Sequence, residues 1–321
     1  MAWLQLIRWK NLLIIFATQL LAWRCVITPQ ISGLNNNMAL FSNTLNFLCI
    51  SFSTILIAAG GYIINDYFDV KIDTVNHPEK VVLGKAIARK SAIVSHILLN
   101  IIALGLAACA ASHARHYEWL LLQASCVVLL WFYSTHFKRQ YMAGNLVVST
   151  LTALTIVILI VYNPGIYQAH SPVSGTGKEL PFFPVWTLLV YAYFAFMLTW
   201  IREIVKDMED YKGDEAEGCV TMPLKRGLKY AMGFTKILSV MVIVPLIAAC
   251  YMLITARCYL LSGYILLLLI IPIAAWALYP EKQLTSQYYH NRSRGLKFIM
   301  VTGVFSLVIY YFQLFLINAT A

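Results

Sequence analysis

Long apolar runs, separated by short polar stretches, dominate the chain from one end to the other. Each run is close to the roughly 20 residues that an α-helix needs to cross a bilayer. Helices satisfy their backbone groups internally, so we expect an all-α, polytopic membrane protein with nine transmembrane helices in a bundle. The runs lie near 12–29, 39–64, 92–112, 117–135, 144–163, 182–205, 231–254, 259–279 and 296–318.

The N-terminal run has the basic residues Arg8 and Lys10 before it, as a signal peptide would. No clear small-residue cleavage site follows, and more apolar runs come after it. We therefore interpret it as the first transmembrane helix.

The composition supports a membrane protein. Of the 321 residues, 60% are hydrophobic and 12% are charged, whereas soluble domains carry roughly 25% charged residues. The net charge of +10 is not gathered into a basic run interleaved with aromatic residues, which argues against a nucleic-acid partner. The seven cysteines form no C-x-x-C pair and lie mostly in apolar runs, which is typical of buried free thiols.

The basic residues predict the orientation of the bundle. Of the 24 Lys and Arg residues, 20 lie in the N-terminal segment and in the loops expected on the same side of the membrane. Such an excess is typical of cytoplasmic loops, so we expect the N-terminus on the cytoplasmic side of the cell (inner) membrane and the C-terminus outside. Twelve of the 14 acidic residues lie on the basic side, eleven of them at 66–79 and 203–217.

The two acidic clusters share the spacing D-x-x-D-x-x-x-D, which begins at Asp66 and again at Asp207, 141 residues later. Offsets of 0, 3 and 7 place three carboxylates on one face of a helix. Asn65 adds to the first row, and Glu203 extends the second row by one turn.

The repeated spacing also predicts how the chain is organised. Two related four-helix halves, at about 1–143 and 144–279, would be followed by a ninth helix at about 296–318. All of these segments would belong to one transmembrane domain, 1–321.

Rows of like charge beside a bilayer repel one another, and a hard divalent cation removes that repulsion. Magnesium prefers oxygen ligands and often bridges carboxylates to substrate phosphates. Two facing rows therefore predict a pair of Mg²⁺ ions around one diphosphate, where they would favour cleavage of an allylic C–O bond. Two solvated acidic loops are the structural alternative. The predicted metal ligands are Asn65, Asp66, Asp69, Asp73, Asp207, Asp210 and Asp214.

At these residues the chain resembles the UbiA superfamily of intramembrane prenyltransferases, which have nine helices and the motifs N-D-x-x-D-x-x-x-D and D-x-x-x-D. The first motif matches residues 65–73, and the second matches Asp210 and Asp214. The resemblance implies Mg²⁺-dependent transfer of a prenyl group from an isoprenyl diphosphate to a lipid-soluble acceptor, in contact with membrane lipids.

Two further segments carry the resemblance. Residues 76–85 are similar to the family stretch N-R-P-x-R-P-L-x-S-G, with His77 and Lys80 in place of the usual arginines. Residues 133–145 are similar to Y-S-x-x-L-K-x-x-x-x-x-G-N and include Lys138. The resemblance implies catalytic roles for Asp69, Asp210 and Lys138, diphosphate binding by Asn65, Lys80, Lys85, Lys138 and Arg139, and acceptor binding by Arg8, Asn11 and Arg202.

Within the superfamily, residues 202–214 are similar to digeranylgeranylglyceryl phosphate synthases. This implies transfer of a geranylgeranyl group to the hydroxyl of a prenylglyceryl phosphate, which forms an ether. An aromatic acceptor, such as a quinone or haem precursor, is the alternative within the same chemistry. A cation-coupled secondary transporter is the non-enzyme alternative, although transporter sites usually lie near the bilayer midplane. In the prenyl transfer, a motif carboxylate or the released diphosphate would accept the proton of the acceptor hydroxyl.

Overall fold

The apolar runs form helices throughout the computed structural model, which describes residues 1–31, 37–76, 78–79, 81–163, 166, 184–280 and 285–319. This part of the chain contains no β-strand, and nine of its helices are long and apolar enough to cross a membrane. The predicted nine-helix, all-α class is confirmed. The nine are α1 (Trp9–Ile27), α2 (Asn43–Asn76), α3 (Arg89–Ala114), α4 (Tyr117–Thr135), α5 (Ala143–Val161), α6 (Pro184–Glu209), α7 (Leu228–Thr255), α8 (Tyr259–Leu278) and α9 (Ser286–Leu316).

Two helices are longer than their apolar runs. Helix α2 continues to Asn76, although its apolar run stops near 64, and α9 begins at Ser286 rather than near 296. Part of each polar end packs against the rest of the protein. Arg292, for example, is 6% exposed, and its guanidinium lies 3.9 Å above the Trp276 ring.

Side chains between the helices are buried, whereas those on the outer face remain apolar and exposed. Ile201 and Leu188 of α6 are fully buried, while Ile101 of α3 and Leu121 of α4 are 62% and 72% exposed. An apolar outer surface of this kind is stable against lipid chains. The chain is a multi-pass membrane protein.

The packing of the helices determines which residues meet at the motif end of the bundle. Helix α3 packs along α2, α5 packs along α6, and α9 contacts α1, α6 and α8. A short helix after α6, Tyr211–Ala216, packs directly on α2. The second acidic motif is thus carried back onto the first. The division into two four-helix halves stays a prediction.

A small apolar cluster closes the motif end of α2. Leu6, from the N-terminal helix Ala2–Leu6, packs with Ile63 of α2 and with Leu83 and Ile87 of the loop between α2 and α3. The loop turns at Gly84, whose φ of +79° is accessible to glycine without steric cost. These contacts hold the N-terminus beside the first motif.

Candidate active site

The first motif lies on the last turns of α2, where the helix is uninterrupted. Its side chains point into the protein, since Asn65 is 9% exposed and Asp69 is 3% exposed. Asp66 Oδ1 accepts a hydrogen bond of 2.7 Å from Arg8 Nη2, and Asp69 Oδ2 accepts one from Lys138 Nζ. Two basic side chains from other segments therefore contact adjacent positions of the row.

The second motif does not lie on one continuous helix, which corrects the expectation of a single straight face. Helix α6 ends at Glu209, Asp210 has the non-helical ψ of 8°, and the helix Tyr211–Ala216 follows. The break turns the chain back toward α2 and leaves Asp214 5% exposed. Asp207, on α6, instead accepts a 2.8 Å hydrogen bond from Asn145 Nδ2.

Asn76, the last residue of α2, joins the two motifs. Its Nδ2 donates to the Asp210 carbonyl oxygen at 3.2 Å, and its Oδ1 accepts from the Gly213 backbone N–H at 3.0 Å. A Cβ on Gly213 would collide with the Asn76 amide, so this approach requires glycine. We call this contact the Asn76 clamp. No local pattern in the sequence predicts it, since the residues that Asn76 contacts are 134 and 137 positions away.

A second glycine positions Lys138. The short 3₁₀ turn Phe137–Arg139 carries this lysine between α4 and α5. A Cβ on Gly144 would lie 2.8 Å from Lys138 Cα and 3.0 Å from the Phe137 carbonyl oxygen. The G-N pair at 144–145 therefore has two structural roles. The glycine allows the turn to pack on α5, and the amide of Asn145 holds Asp207.

The electrostatics of the site reflect how closely the charges are packed. Burial alone would lower the pKa of Lys138, but the Asp69 carboxylate and the Tyr133 side chain outweigh it, so the pKa is raised. Burial raises the pKa of Asp214 to about 7; Lys138 opposes this rise, and Asp210 and Asp69 add to it. Asp214 and Asp69 thus interact with the same lysine, and the two motifs meet at one site.

The acceptor-binding candidates lie at the motif end of the bundle. Arg8 has the left-handed φ of 51°, and its guanidinium lies 5.0 Å above the Tyr62 ring. Asn11 Oδ1 accepts a 2.6 Å hydrogen bond from Lys297 Nζ of α9. Arg202 Nη1 donates to Glu203 at 2.8 Å. All three candidates therefore contact polar groups at the motif end of the bundle.

Two diphosphate-binding candidates lie apart from the site where the two motifs meet. Lys85 is exposed, and its Nζ donates to the Pro78 carbonyl oxygen at 3.1 Å. Arg139 is exposed as well, although it directly follows Lys138. A third candidate, Lys80, lies outside the described residues. The roles of these residues in diphosphate binding stay predictions.

The donor groups fit magnesium in chemical type. In the part of the chain that the structure describes, no three Asp, Glu, His or Cys side chains are grouped closely enough to hold a metal ion as they stand. The carboxylates are instead engaged by Arg8, Lys138 and Asn145. Asn65 Oδ1 is buried without a hydrogen-bond partner among the described residues. An unpartnered oxygen beside crowded carboxylates is the donor set that a hard cation prefers.

Comparisons with known proteins point to one family. Residues 37–305 match the model of the UbiA prenyltransferase family. The chain is 32% identical over 197 residues to a digeranylgeranylglyceryl phosphate synthase of Methanothermobacter thermautotrophicus, and the aligned segment covers 60% of each chain. It is 29% identical over 250 residues to the synthase of the same name from Thermococcus sibiricus, covering 78% of this chain and 79% of that one.

Solved structures share the fold. A structure concerned with digeranylgeranylglyceryl phosphate synthase in membranes superposes with a TM-score of 0.64 at 21% identity, covering 97% of both chains. A UbiA homologue from Archaeoglobus fulgidus, bound to DMAPP and Mg²⁺, gives a TM-score of 0.56 at 16% identity, covering 96% of this chain and 99% of that one.

Proposed function

Because the chain belongs to the UbiA prenyltransferase family, we propose that it transfers a geranylgeranyl group from its diphosphate to the hydroxyl of a prenylglyceryl phosphate. The allylic C–O bond of the donor breaks, and diphosphate leaves with the electron pair. The acceptor oxygen forms the new ether bond, and its proton passes to a motif carboxylate or to the released diphosphate. The relatives named for this reaction in Methanothermobacter and Thermococcus support the choice of acceptor.

The observation that carries the proposal is the meeting of both acidic motifs at Lys138. This lysine contacts Asp69 directly and interacts electrostatically with Asp214. A prenyl diphosphate brings several negative oxygens, so a partly buried ammonium, beside carboxylates that can bind a cation, makes a complementary site. A transporter would not need the two motifs joined at one end of the bundle, away from the bilayer midplane.

Magnesium, when bound, would supply positive charge that stabilises the diphosphate as a leaving group. We propose two ions, held by Asn65 and the carboxylates of both motifs. Asp66, Asp69 and Asp207 would exchange their present partners for the metal. Lys138, released from Asp69, would then donate to a diphosphate oxygen. The ligands are Asn65, Asp66, Asp69, Asp73, Asp207, Asp210 and Asp214.

Two tyrosines lie near the basic side chains of the site. Tyr62 and Tyr133 both interact electrostatically with Arg8, and Tyr133 also interacts with Lys138. In our proposal their rings exclude water from the allylic cation and stabilise its charge. A prenyl cation formed in the open would be captured by water and give an alcohol.

We also propose that the site faces the cytoplasm. The excess of Lys and Arg lies on the motif side of the membrane, and water-soluble diphosphate would be released there. The N-terminus would lie on the same side, beside the first motif.

The proposal is tested by product analysis. Purified protein in detergent or nanodiscs is incubated with Mg²⁺, geranylgeranyl diphosphate and either a prenylglyceryl phosphate or a phenolic acceptor, and products are identified by mass spectrometry. An ether of the glyceryl phosphate, formed with equimolar diphosphate, is expected. Prenylation of a ring carbon without any ether product would favour the aromatic alternative, and no product from any acceptor would refute the enzyme assignment.

A further inference from the structure

Beside the diphosphate pocket, four cationic side chains converge from three helices. They are Lys10 of α1, Arg202 and Lys206 of α6, and Lys297 of α9. Lys297 interacts electrostatically with each of the other three. Its ammonium is fixed by the 2.6 Å hydrogen bond to Asn11. We call these four residues the basic cluster.

The positive charge of the basic cluster is only partly neutralised. Glu203 lies 2.8 Å from Arg202 Nη1 and 3.6 Å from Lys206 Nζ, and Asp210 interacts electrostatically with Lys206. Four positive charges against these two carboxylates leave an excess, and like charges held together repel. Arg202 Nε is also buried without a hydrogen-bond partner in the described part of the chain. The cluster therefore offers both charge and a donor to an anion.

Glu203 places the basic cluster next to the reacting groups. This carboxylate interacts electrostatically with Arg202 and Lys206 and also with Lys138 and Arg8. A phosphate bound at the cluster would therefore lie beside the diphosphate site. The short glyceryl unit attached to that phosphate would have its hydroxyl close to the donor.

We propose that Lys297, together with Arg202 and Lys206, binds the phosphate monoester of the lipid acceptor and selects for acceptors that carry it. The inference rests on the proposed function and adds Lys297 and Lys206 to the acceptor-binding residues. A phosphate monoester carries a charge near −2 and three acceptor oxygens, which match the uncompensated charge and the free donor. Neutral acceptors lack both features.

The kinetic test compares Lys297→Met with Lys297→Arg, and uses Lys229→Met as the matched control. Lys229 is an exposed lysine at the same end of the bundle, on α7. Losing a charge-assisted hydrogen bond should raise KM for the prenylglyceryl phosphate roughly ten- to hundredfold in Lys297→Met. KM for geranylgeranyl diphosphate should stay unchanged. The arginine variant should restore most of the affinity, and Lys229→Met should behave as wild type.

A second acceptor, the same prenylglycerol without phosphate, reveals whether the effect concerns the phosphate. Wild type should prefer the phosphorylated acceptor, and Lys297→Met should lose that preference while turning over the neutral acceptor as wild type does. An equal loss for both acceptors, or a changed KM for the donor, would overturn the proposal.

A binding experiment separates this proposal from the proposed function. Prenylglyceryl phosphate is titrated by calorimetry into protein held in EDTA without donor, in neutral phosphatidylcholine nanodiscs. Saturable binding that weakens in Lys297→Met supports the phosphate site even if no ether product forms. Equal binding by wild type and Lys297→Met refutes the proposal. The proposal also fails if the difference in binding between these two proteins disappears when phosphatidylglycerol replaces phosphatidylcholine, since the cluster would then be a site for bulk anionic lipid.

Discussion

The Asn76 clamp gives a quantitative prediction for how the two motifs are held together. Asn76→Ala removes both hydrogen bonds to the turn that carries Asp210 and Gly213. At about 1 kcal/mol each, the loss is about 2 kcal/mol in favour of the undocked turn. Because 1.4 kcal/mol is a factor of ten, kcat/KM for the prenyl diphosphate should fall roughly 30-fold.

The assay is steady-state release of diphosphate at saturating acceptor, with purified variants that elute as wild type does on size exclusion. Val75→Ala is the control, because Val75 lies in the same helical turn and is 55% exposed. It should retain wild-type activity. An active Asn76→Ala protein, within about twofold of wild type, would show that the clamp does not hold the site.

A double-mutant cycle sharpens the test. Gly213→Ala alone should impair the enzyme because the new Cβ collides with the Asn76 amide. In the Asn76→Ala background the space is open, and alanine is also a better helix former than glycine. The double variant should therefore be no worse than Asn76→Ala. Additive losses would refute the steric explanation, since residues in contact are expected to couple.

Three further predictions concern the pocket itself. Asp69→Ala and Asp210→Ala should each abolish turnover while the protein remains folded and membrane-inserted, as judged by size exclusion and thermal unfolding. Full activity of either variant would show that the substituted residue is not catalytic. Gly144→Ala should lower kcat/KM by displacing the turn that carries Lys138, whereas Gly105→Ala, in open space on α3, should have no such effect; equal activities would contradict the positioning role. EDTA should stop product formation and Mg²⁺ should restore it, and activity that persists in EDTA would contradict the metal requirement.

Several features of the protein followed from local patterns in the sequence. The nine apolar runs correspond to the nine long helices of the described residues, because a chain in lipid must satisfy its backbone hydrogen bonds within each segment. The aspartate spacing predicted the side chains that share a face of α2, because helical periodicity depends on positions a few residues apart. The helix ends were harder to predict, since apolarity stops at the membrane whereas a helix continues wherever protein covers it.

Contacts between distant segments depended on the tertiary structure. Lys138 meets Asp69 across 69 residues, and Lys297 meets Asn11 across 286 residues. No local pattern encodes which of several basic residues reaches a given carboxylate, because that depends on how the helices pack. Exposed Lys85 and Arg139 were indistinguishable in sequence from partly buried Lys138. Composition and periodicity specify which elements form and which faces are polar, whereas the packed arrangement decides which polar faces meet.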